Sequence, residues 1–123
     1  MKLRIKGDSI RFRLSISDLD TFAEKGYIEE RTHVGNMVFV YALLRSEDES
    51  QLTAKLDNNK IFLYVPAPFV TEWVETNKVG FDNRLPLPNG SELYLLIEKD
   101  FKCLDETTED QSDNFDNPLL AGK

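Results

Sequence analysis

The chain alternates apolar and polar residues in short runs that turn-forming residues interrupt, which is the pattern of paired β-strands. Leu3 and Ile5 alternate with basic residues before Gly7, and residues 10–14 alternate in the same way after it. This arrangement predicts a β-hairpin over residues 2–14. Similar runs predict further strands over residues 27–33, 37–44, 52–56, 61–65, 79–81 and 93–98.

Two segments have the spacing of amphipathic helices instead. Ser15 or Ser17 is suited to cap the first helix, and Gly26 is suited to end it in a left-handed conformation. Pro66 stands at the start of the second helix, where proline is tolerated, and Asn77 marks its end. Each helix follows a predicted hairpin and precedes two more strands.

The two halves of the chain align with a constant offset of 51 residues. The offset places Leu3 against Ala54, and it continues without a gap to Ile28 and Val79. After that strand, the second copy is about three residues longer. The sequence therefore predicts an α+β fold of two β-β-α-β-β units, over about residues 1–45 and 52–100. We expect them to share one core within a single domain over residues 1–104, as a pseudo-two-fold, mainly antiparallel sheet or barrel with two short helices.

Composition and charge limit the classes of function. The chain has 123 residues, 41% of them hydrophobic, and a net charge of −7. Residues 105–123 contain six acids and one base, which predicts an acidic, flexible tail, whereas residues 1–13 carry +4. An acidic total argues against a general nucleic-acid binder but leaves room for a local anion site. The longest apolar run, residues 37–44, is too short to span a membrane, so no membrane partner is expected. One cysteine excludes an intramolecular disulfide, and we expect a cytoplasmic protein.

The first hairpin supplies the main candidate site. Strand alternation places its cations on one outward face, where arginine and lysine suit phosphate or carboxylate groups. This face predicts a site for a small anion or a protein partner. The alternative is an ordinary solvated sheet face that neighbouring acids neutralise. The residues concerned are Lys2, Arg4, Lys6, Arg11 and Arg13.

A weaker hypothesis is a metal site or a thiol-dependent activity. His33, Cys103 and Asp105, with Asp100 nearby in sequence, offer ligand types that zinc or iron accepts, although their spacing forms no short metal motif. Cys-His nucleophilic catalysis is also an alternative, but no orienting partner is identifiable. The chain has no phosphate loop, nucleotide fingerprint or nucleophile elbow. We therefore expect no cofactor and no catalytic residue.

Aromatic residues concentrate in the second half of the chain. At strand and helix spacing they are typical of core positions, and the alternative is the lining of a small-molecule pocket. The set comprises Phe62, Tyr64, Phe69, Trp73, Phe81 and Tyr94.

Three stretches resemble a family of small, uncharacterised bacterial proteins of about this length. They are the opening residues 1–14, the segment Thr32-His33-x-Gly35, and residues 97–104 together with Asp113-x-Phe115-x-Asn117-Pro118. The resemblance covers nearly the whole chain. It implies a shared fold and a bacterial cytosol, and it supplies no catalytic residue.

The segment from Gly7 through the first helix is also similar to the swapped-hairpin domain of AbrB/MazE-type transcription factors. Ile61-Phe-Leu-Tyr-Val-Pro66 matches the Ile-Pro strand end of that domain better than the first half does, which has Ser15 at the proline position. The resemblance implies DNA contacts by Arg4, Arg11 and Arg13. The leading prediction is a non-catalytic binding or interaction module, with a DNA-binding regulator and a metal- or thiol-dependent enzyme as alternatives.

Overall fold

The computed structural model describes residues 1–101 and residue 115, and this part of the chain contains eight strands and two helices. In chain order they are β1 (Lys2–Ile5), β2 (Ser9–Leu14), α1 (Ile16–Lys25), β3 (Tyr27–Val34), β4 (Met37–Ser46), β5 (Thr53–Asp57), β6 (Lys60–Pro66), α2 (Ala67–Glu75), β7 (Gly80–Pro86) and β8 (Glu92–Lys99).

The strands form two four-stranded sheets, and each sheet takes one hairpin from each half of the chain. The first sheet has the order β1-β2-β8-β7 and the second the order β3-β4-β6-β5. The central pairs, β2 with β8 and β4 with β6, are parallel, and the four outer pairs are antiparallel. The α+β class is thus confirmed. The described strands form two separate sheets and no closed barrel, so the barrel alternative is wrong.

The two sheets have matching registers. Ile10 of β2 lies opposite Leu95 of β8, and Ile61, which is 51 residues after Ile10, lies opposite Tyr41 of β4. The offset between the halves is 51 for β1, β2 and α1, 53 for β3 and 54 for β4. Two extra residues therefore lie between α2 and β7, and one more lies between β7 and β8.

Local sequence explains the ends of the first helix. Ser15 and Asp18 form a capping box, because Asp18 N–H donates to Ser15 Oγ and Ser15 N–H donates to Asp18 Oδ2. Gly26 ends α1 with φ of 71°, a left-handed conformation that glycine adopts without steric cost. The second helix ends at Glu75, two residues before the predicted Asn77, because the Thr76 N–H already caps it at Glu72 O.

The core lies between the inward faces of the two sheets and against the helices. Phe12 of the first sheet meets Tyr41 of the second edge to face, with ring centroids 6.0 Å apart. Trp73 of α2 is fully buried, and its Nε1 donates to Val79 O at 3.0 Å. Such a side chain contributes about 2–3 kcal/mol by burial. Phe69 and Phe81 also pack against the core, whereas Phe62, Tyr64 and Tyr94 are half-buried on outward faces.

Strand β7 is longer than the sequence predicts. The prediction stops at Phe81, but the strand continues through Asp82, Asn83 and Arg84 to Pro86. It lies at the edge of the first sheet, where polar residues and a proline are tolerated. Gly80 has the closest backbone approach, since a Cβ built there would lie 2.0 Å from Ile97 O.

Candidate functional site

The outward face of the first sheet collects most of the chain's candidate binding residues. Register and alternation place Lys2 and Arg4 of β1 beside Arg13 and Arg11 of β2, respectively, and Lys6 follows β1 at the turn. We call this surface the charged face. It consists of Lys2, Arg4, Lys6, Ser9, Arg11, Arg13, Asp82, Arg84, Tyr94, Leu96 and Glu98.

Two carboxylates bind three of the five predicted cations. Arg11 Nε donates to Glu98 Oε1 at 2.6 Å, and Arg13 Nε lies 3.0 Å from the same oxygen without hydrogen-bond geometry. Asp100, which follows β8, lies 3.2 Å from Lys2 Nζ. Glu98 is only 14% exposed, so this ion pairing is partly shielded from water. This part of the charged face thus carries its own counter-charges.

The other end of the charged face has an excess of positive charge. Arg4 stands directly opposite Arg11 in the β1–β2 pair, and like charges in that position destabilise a sheet. Arg11 is paired with Glu98, but within residues 1–101 neither Arg4 nor Lys6 forms an ion pair. A cavity of about 190 Å³ opens between these cations. It is lined by Arg4, Lys6, Ser9, Arg11, Tyr94 and Leu96, and we call it the Arg4 cavity.

Tyr94 completes the cavity from β8. Its hydroxyl donates to Asp82 Oδ2 at 3.0 Å, and the Arg84 guanidinium lies 4.8 Å from its ring centroid. Burial, followed by the hydrogen bond to Asp82, raises the pKa of Tyr94 above its usual value of 10.0. The phenol is therefore neutral at physiological pH, and it presents an aromatic wall beside a hydroxyl group.

Sequence reasoning found the cations of this site and offered Tyr94 as a possible pocket residue, but it missed Ser9 and did not place Tyr94 beside the cations. Ser9 lies opposite Tyr94 only because β2 and β8 pair in parallel across 85 residues of sequence. No local pattern encodes that pairing. The offset between the halves gave the only indication, because it predicts that equivalent hairpins occupy equivalent positions.

Part of the candidate metal site lies outside the described residues. His33 lies near the turn end of β3 in the second sheet, whereas Asp100 follows β8 of the first sheet. Cys103 and Asp105 are not among the described residues. Within residues 1–101 and 115, no three His, Cys, Asp or Glu side chains lie close enough together to hold a metal ion. The metal- and thiol-dependent alternatives stay predictions.

The two helices and the sheets define a two-sheet α+β protein with a cationic cavity on one sheet face. Residues 1–119 match a family described as "Family of unknown function (DUF7009)", and the chain belongs to that family. This match confirms the expected membership of a small uncharacterised family, and the resemblance to AbrB/MazE-type factors is not shown. No curated protein and no solved structure matches the chain. In the described part, neither helix is long and apolar enough to cross a membrane.

Proposed function

We propose that the chain is a non-catalytic binding module that holds a small multivalent anion, with phosphate or carboxylate groups, in the Arg4 cavity. The observation that carries this proposal is the opposed pair of Arg4 and Arg11, with Lys6 beside them; Arg11 alone of the three is paired with a carboxylate, that of Glu98, within residues 1–101. A bound dianion relieves the repulsion between the two guanidinium groups, and their fork geometry suits oxyanions.

The chemistry of the cavity favours binding over catalysis. Four of its polar side chains can donate to an anion: the guanidinium groups of Arg4 and Arg11, the Lys6 ammonium group and the Ser9 hydroxyl. The Tyr94 hydroxyl already donates to Asp82. A nucleophilic serine requires an adjacent base, and no histidine or carboxylate lines this cavity. Donors without a base are typical of sites that hold an anion unchanged.

Calorimetric titration tests the proposal with inorganic pyrophosphate and citrate as probes. We expect saturable binding that weakens with added salt, and the more tightly bound probe identifies phosphate or carboxylate as the preferred group. Arg4→Ala should weaken binding about tenfold, the loss of one charge-assisted contact. Lys55→Ala is the matched control, because Lys55 is the exposed cation 51 residues after Arg4, at the same register position in β5. The proposal would be contradicted if neither probe bound, or if Arg4→Ala and Lys55→Ala weakened binding equally.

The DNA-binding alternative uses the same arginines but a larger surface. Glu98 already neutralises Arg11 and lies beside Arg13, which favours a small ligand over a duplex backbone with its many phosphates. A gel shift at low salt distinguishes the two. The binding-module proposal expects no retention of any duplex, whereas retention that disappears in Arg11→Ala would support the regulator instead.

We also propose that the two halves are internal repeats of one β-β-α-β-β unit and that the protein is cytoplasmic and bacterial. The matching registers of the two sheets support the repeat. The single cysteine, and the resemblance to small bacterial proteins, support the location. Superposition of residues 1–45 on residues 52–100 in a crystal structure tests the repeat, and failure to superimpose would contradict it. Fractionation of cells that express the gene tests the location.

A further inference from the structure

Two cations occupy corresponding positions at the ends of β4 and β8. Arg45 lies opposite Val65 of β6, and Lys99 lies opposite Leu14, which is 51 residues before Val65. The Arg45 N–H donates to Gly26 O at 2.9 Å, and the Lys99 N–H donates to Val79 O at 2.8 Å. Each side chain turns to the end of a helix. Arg45 Nη1 lies 3.5 Å from Ala23 O of α1, and Lys99 Nζ donates to Thr76 O, after α2, at 3.0 Å.

An aromatic side chain from the C-terminal segment covers Lys99. The Phe115 ring lies 5.2 Å from Lys99 Nζ and meets the Phe101 ring edge to face at 6.0 Å. The Phe115 N–H donates to Asp100 O at 2.9 Å, and Phe101 and Phe115 form a parallel β-bridge. Phe115 is therefore held beside the end of β8 by one backbone hydrogen bond and by its ring contacts.

No aromatic side chain among residues 1–101 covers the corresponding position beside Arg45. Arg45 and Glu47, which match Lys99 and Phe101 in register, line a cavity of about 370 Å³ between α1 and α2. Its apolar wall comes from Ala23, Val70 and Val74, and Val74 is 42% exposed. We call it the Arg45 groove. Within residues 1–101, Arg45 forms no ion pair, and the only hydrogen bond of its guanidinium group is the long one to Ala23 O.

We propose that the Arg45 groove binds an extended peptide of a partner protein through one aromatic side chain, in the way that Phe115 binds beside Lys99. The contact of the Phe115 ring with Lys99 at the matching register position supports this occupant, since the negative face of an aromatic ring is attracted to a guanidinium group as to an ammonium group. Glu47 and Glu75 also line the groove, so the attraction is local to Arg45. The apolar wall suits the same ring. The backbone of the peptide would run parallel to residues 45–47, as residue 115 runs beside residue 101. This inference rests on the register match and is independent of the Arg4 cavity.

The chain's own segment supplies the probe, a synthetic peptide with the sequence of residues 112–118. An NMR titration of the full chain should shift the backbone amides of Gly26 and Glu47 in a saturable manner and leave that of Phe101 unchanged. Replacing Phe by Ala in the peptide should weaken binding about tenfold, as should Arg45→Glu or Val74→Arg in the protein. Lys55→Glu, an exposed charge reversal in β5, is the control for nonspecific charge effects. Circular dichroism verifies that each variant is folded.

A variant that lacks the Phe115 ring provides a second test. In a Phe115→Ala chain the position beside Lys99 is vacated, so the peptide should now shift the Phe101 amide as well as those of the Arg45 groove. Lack of saturable shifts at Gly26 and Glu47 in the wild-type chain would overturn the inference. Shifts that survive Arg45→Glu but disappear in Arg4→Ala would overturn it too, because the acidic peptide would then bind only the charged face.

Discussion

The outward faces of the two sheets have the same strand arrangement and different surface chemistry. In β2, Arg11 and Arg13 point outward, and the corresponding positions of β6 hold Phe62 and Tyr64, whose rings stack at 6.4 Å. The inward positions, by contrast, are apolar in both sheets. The shared core thus constrains the inward faces alike, whereas the outward faces are free to acquire separate binding properties.

Each outward face also has one carboxylate that several partners share. In the first sheet, Glu98 contacts Arg11 and Arg13. In the second sheet, Glu29 accepts hydrogen bonds from Tyr27 and Arg31, and Lys60 lies 3.8 Å away. These hydrogen bonds, the one from Tyr27 first, lower the pKa of Glu29 below its usual value of 4.5. Glu29 therefore makes its favourable contribution above that pH and loses it as acid protonates the carboxylate.

The largest expected contrast between the faces is at Gly80 and Tyr27, which match in register. A Cβ at position 80 would collide with Ile97 O and come within 2.8 Å of Glu98 Cα, so β7 must move away from β8. Gly80→Ala should lower the free energy of unfolding by about 3 kcal/mol or more. Tyr27→Ala, which removes a half-buried ring, should cost only about 1 kcal/mol. Urea unfolding of both variants provides the measurement, and equal losses would contradict the close approach at Gly80.

We expect a smaller difference in the loss of unfolding free energy between substitutions of Glu98 and of Glu29. Glu98→Gln removes the shared partner of two arginines on a partly shielded surface and should lower the free energy of unfolding by about 1–2 kcal/mol. Glu29→Gln acts on a more exposed cluster and should cost about 0.5 kcal/mol. Chemical denaturation of both variants at low and high salt measures these losses, and added salt should reduce the loss at the more exposed Glu29 further. A loss at Glu98 no larger than that at Glu29 would show that the network on the charged face contributes little.

The smallest expected effect concerns Lys99 and Arg45. Burial lowers the pKa of Lys99 below its usual 10.5, so between the folded pKa and 10.5 the unfolded chain binds more protons. Stability should therefore rise with pH in that window for the wild type relative to Lys99→Met. At neutral pH the lost hydrogen bond and the relieved desolvation oppose each other, leaving a net change within about 1 kcal/mol.

Unfolding curves from about pH 8 to about pH 10 measure this pH dependence. Arg45→Met is the control, because it removes an exposed cation at the corresponding register position, and this removal should leave the slope unchanged. A Lys99→Met slope identical to that of the wild type would contradict the burial of the Lys99 ammonium group.

The sequence predicted the hairpins and both helices because these depend on local alternation, caps and turns. It also placed Lys2, Arg4, Arg11 and Arg13 on one face, since strand alternation determines that relation. It assigned Ile28 to Val79, whereas the register pairs Ile28 with the position of Phe81. Two residues inserted after α2 lie in a polar connection, where no hydrophobic period marks them.

Local sequence patterns could not predict the parallel pairing of β2 with β8 and of β4 with β6. The contact of β2 with β8, which brings Tyr94 to the Arg4 cavity, joins strands from opposite ends of the chain. The correspondence of Arg45 with Lys99 depends on the same long-range register. Sequence reasoning therefore missed the features that depend on the pairing of a hairpin from one half with a hairpin from the other half. It did not miss the individual strands and helices.

The pairing of hairpins from both halves within each sheet bears on the effect of cleaving the backbone between the halves. Because β2 pairs with β8 and β4 with β6, the two halves are held together by two parallel ladders and one common core. The connection over residues 47–51 carries no strand of either sheet. A nick there would leave two fragments that can reassemble without a covalent link, which makes this loop the natural site for a split reporter or for grafting a foreign sequence.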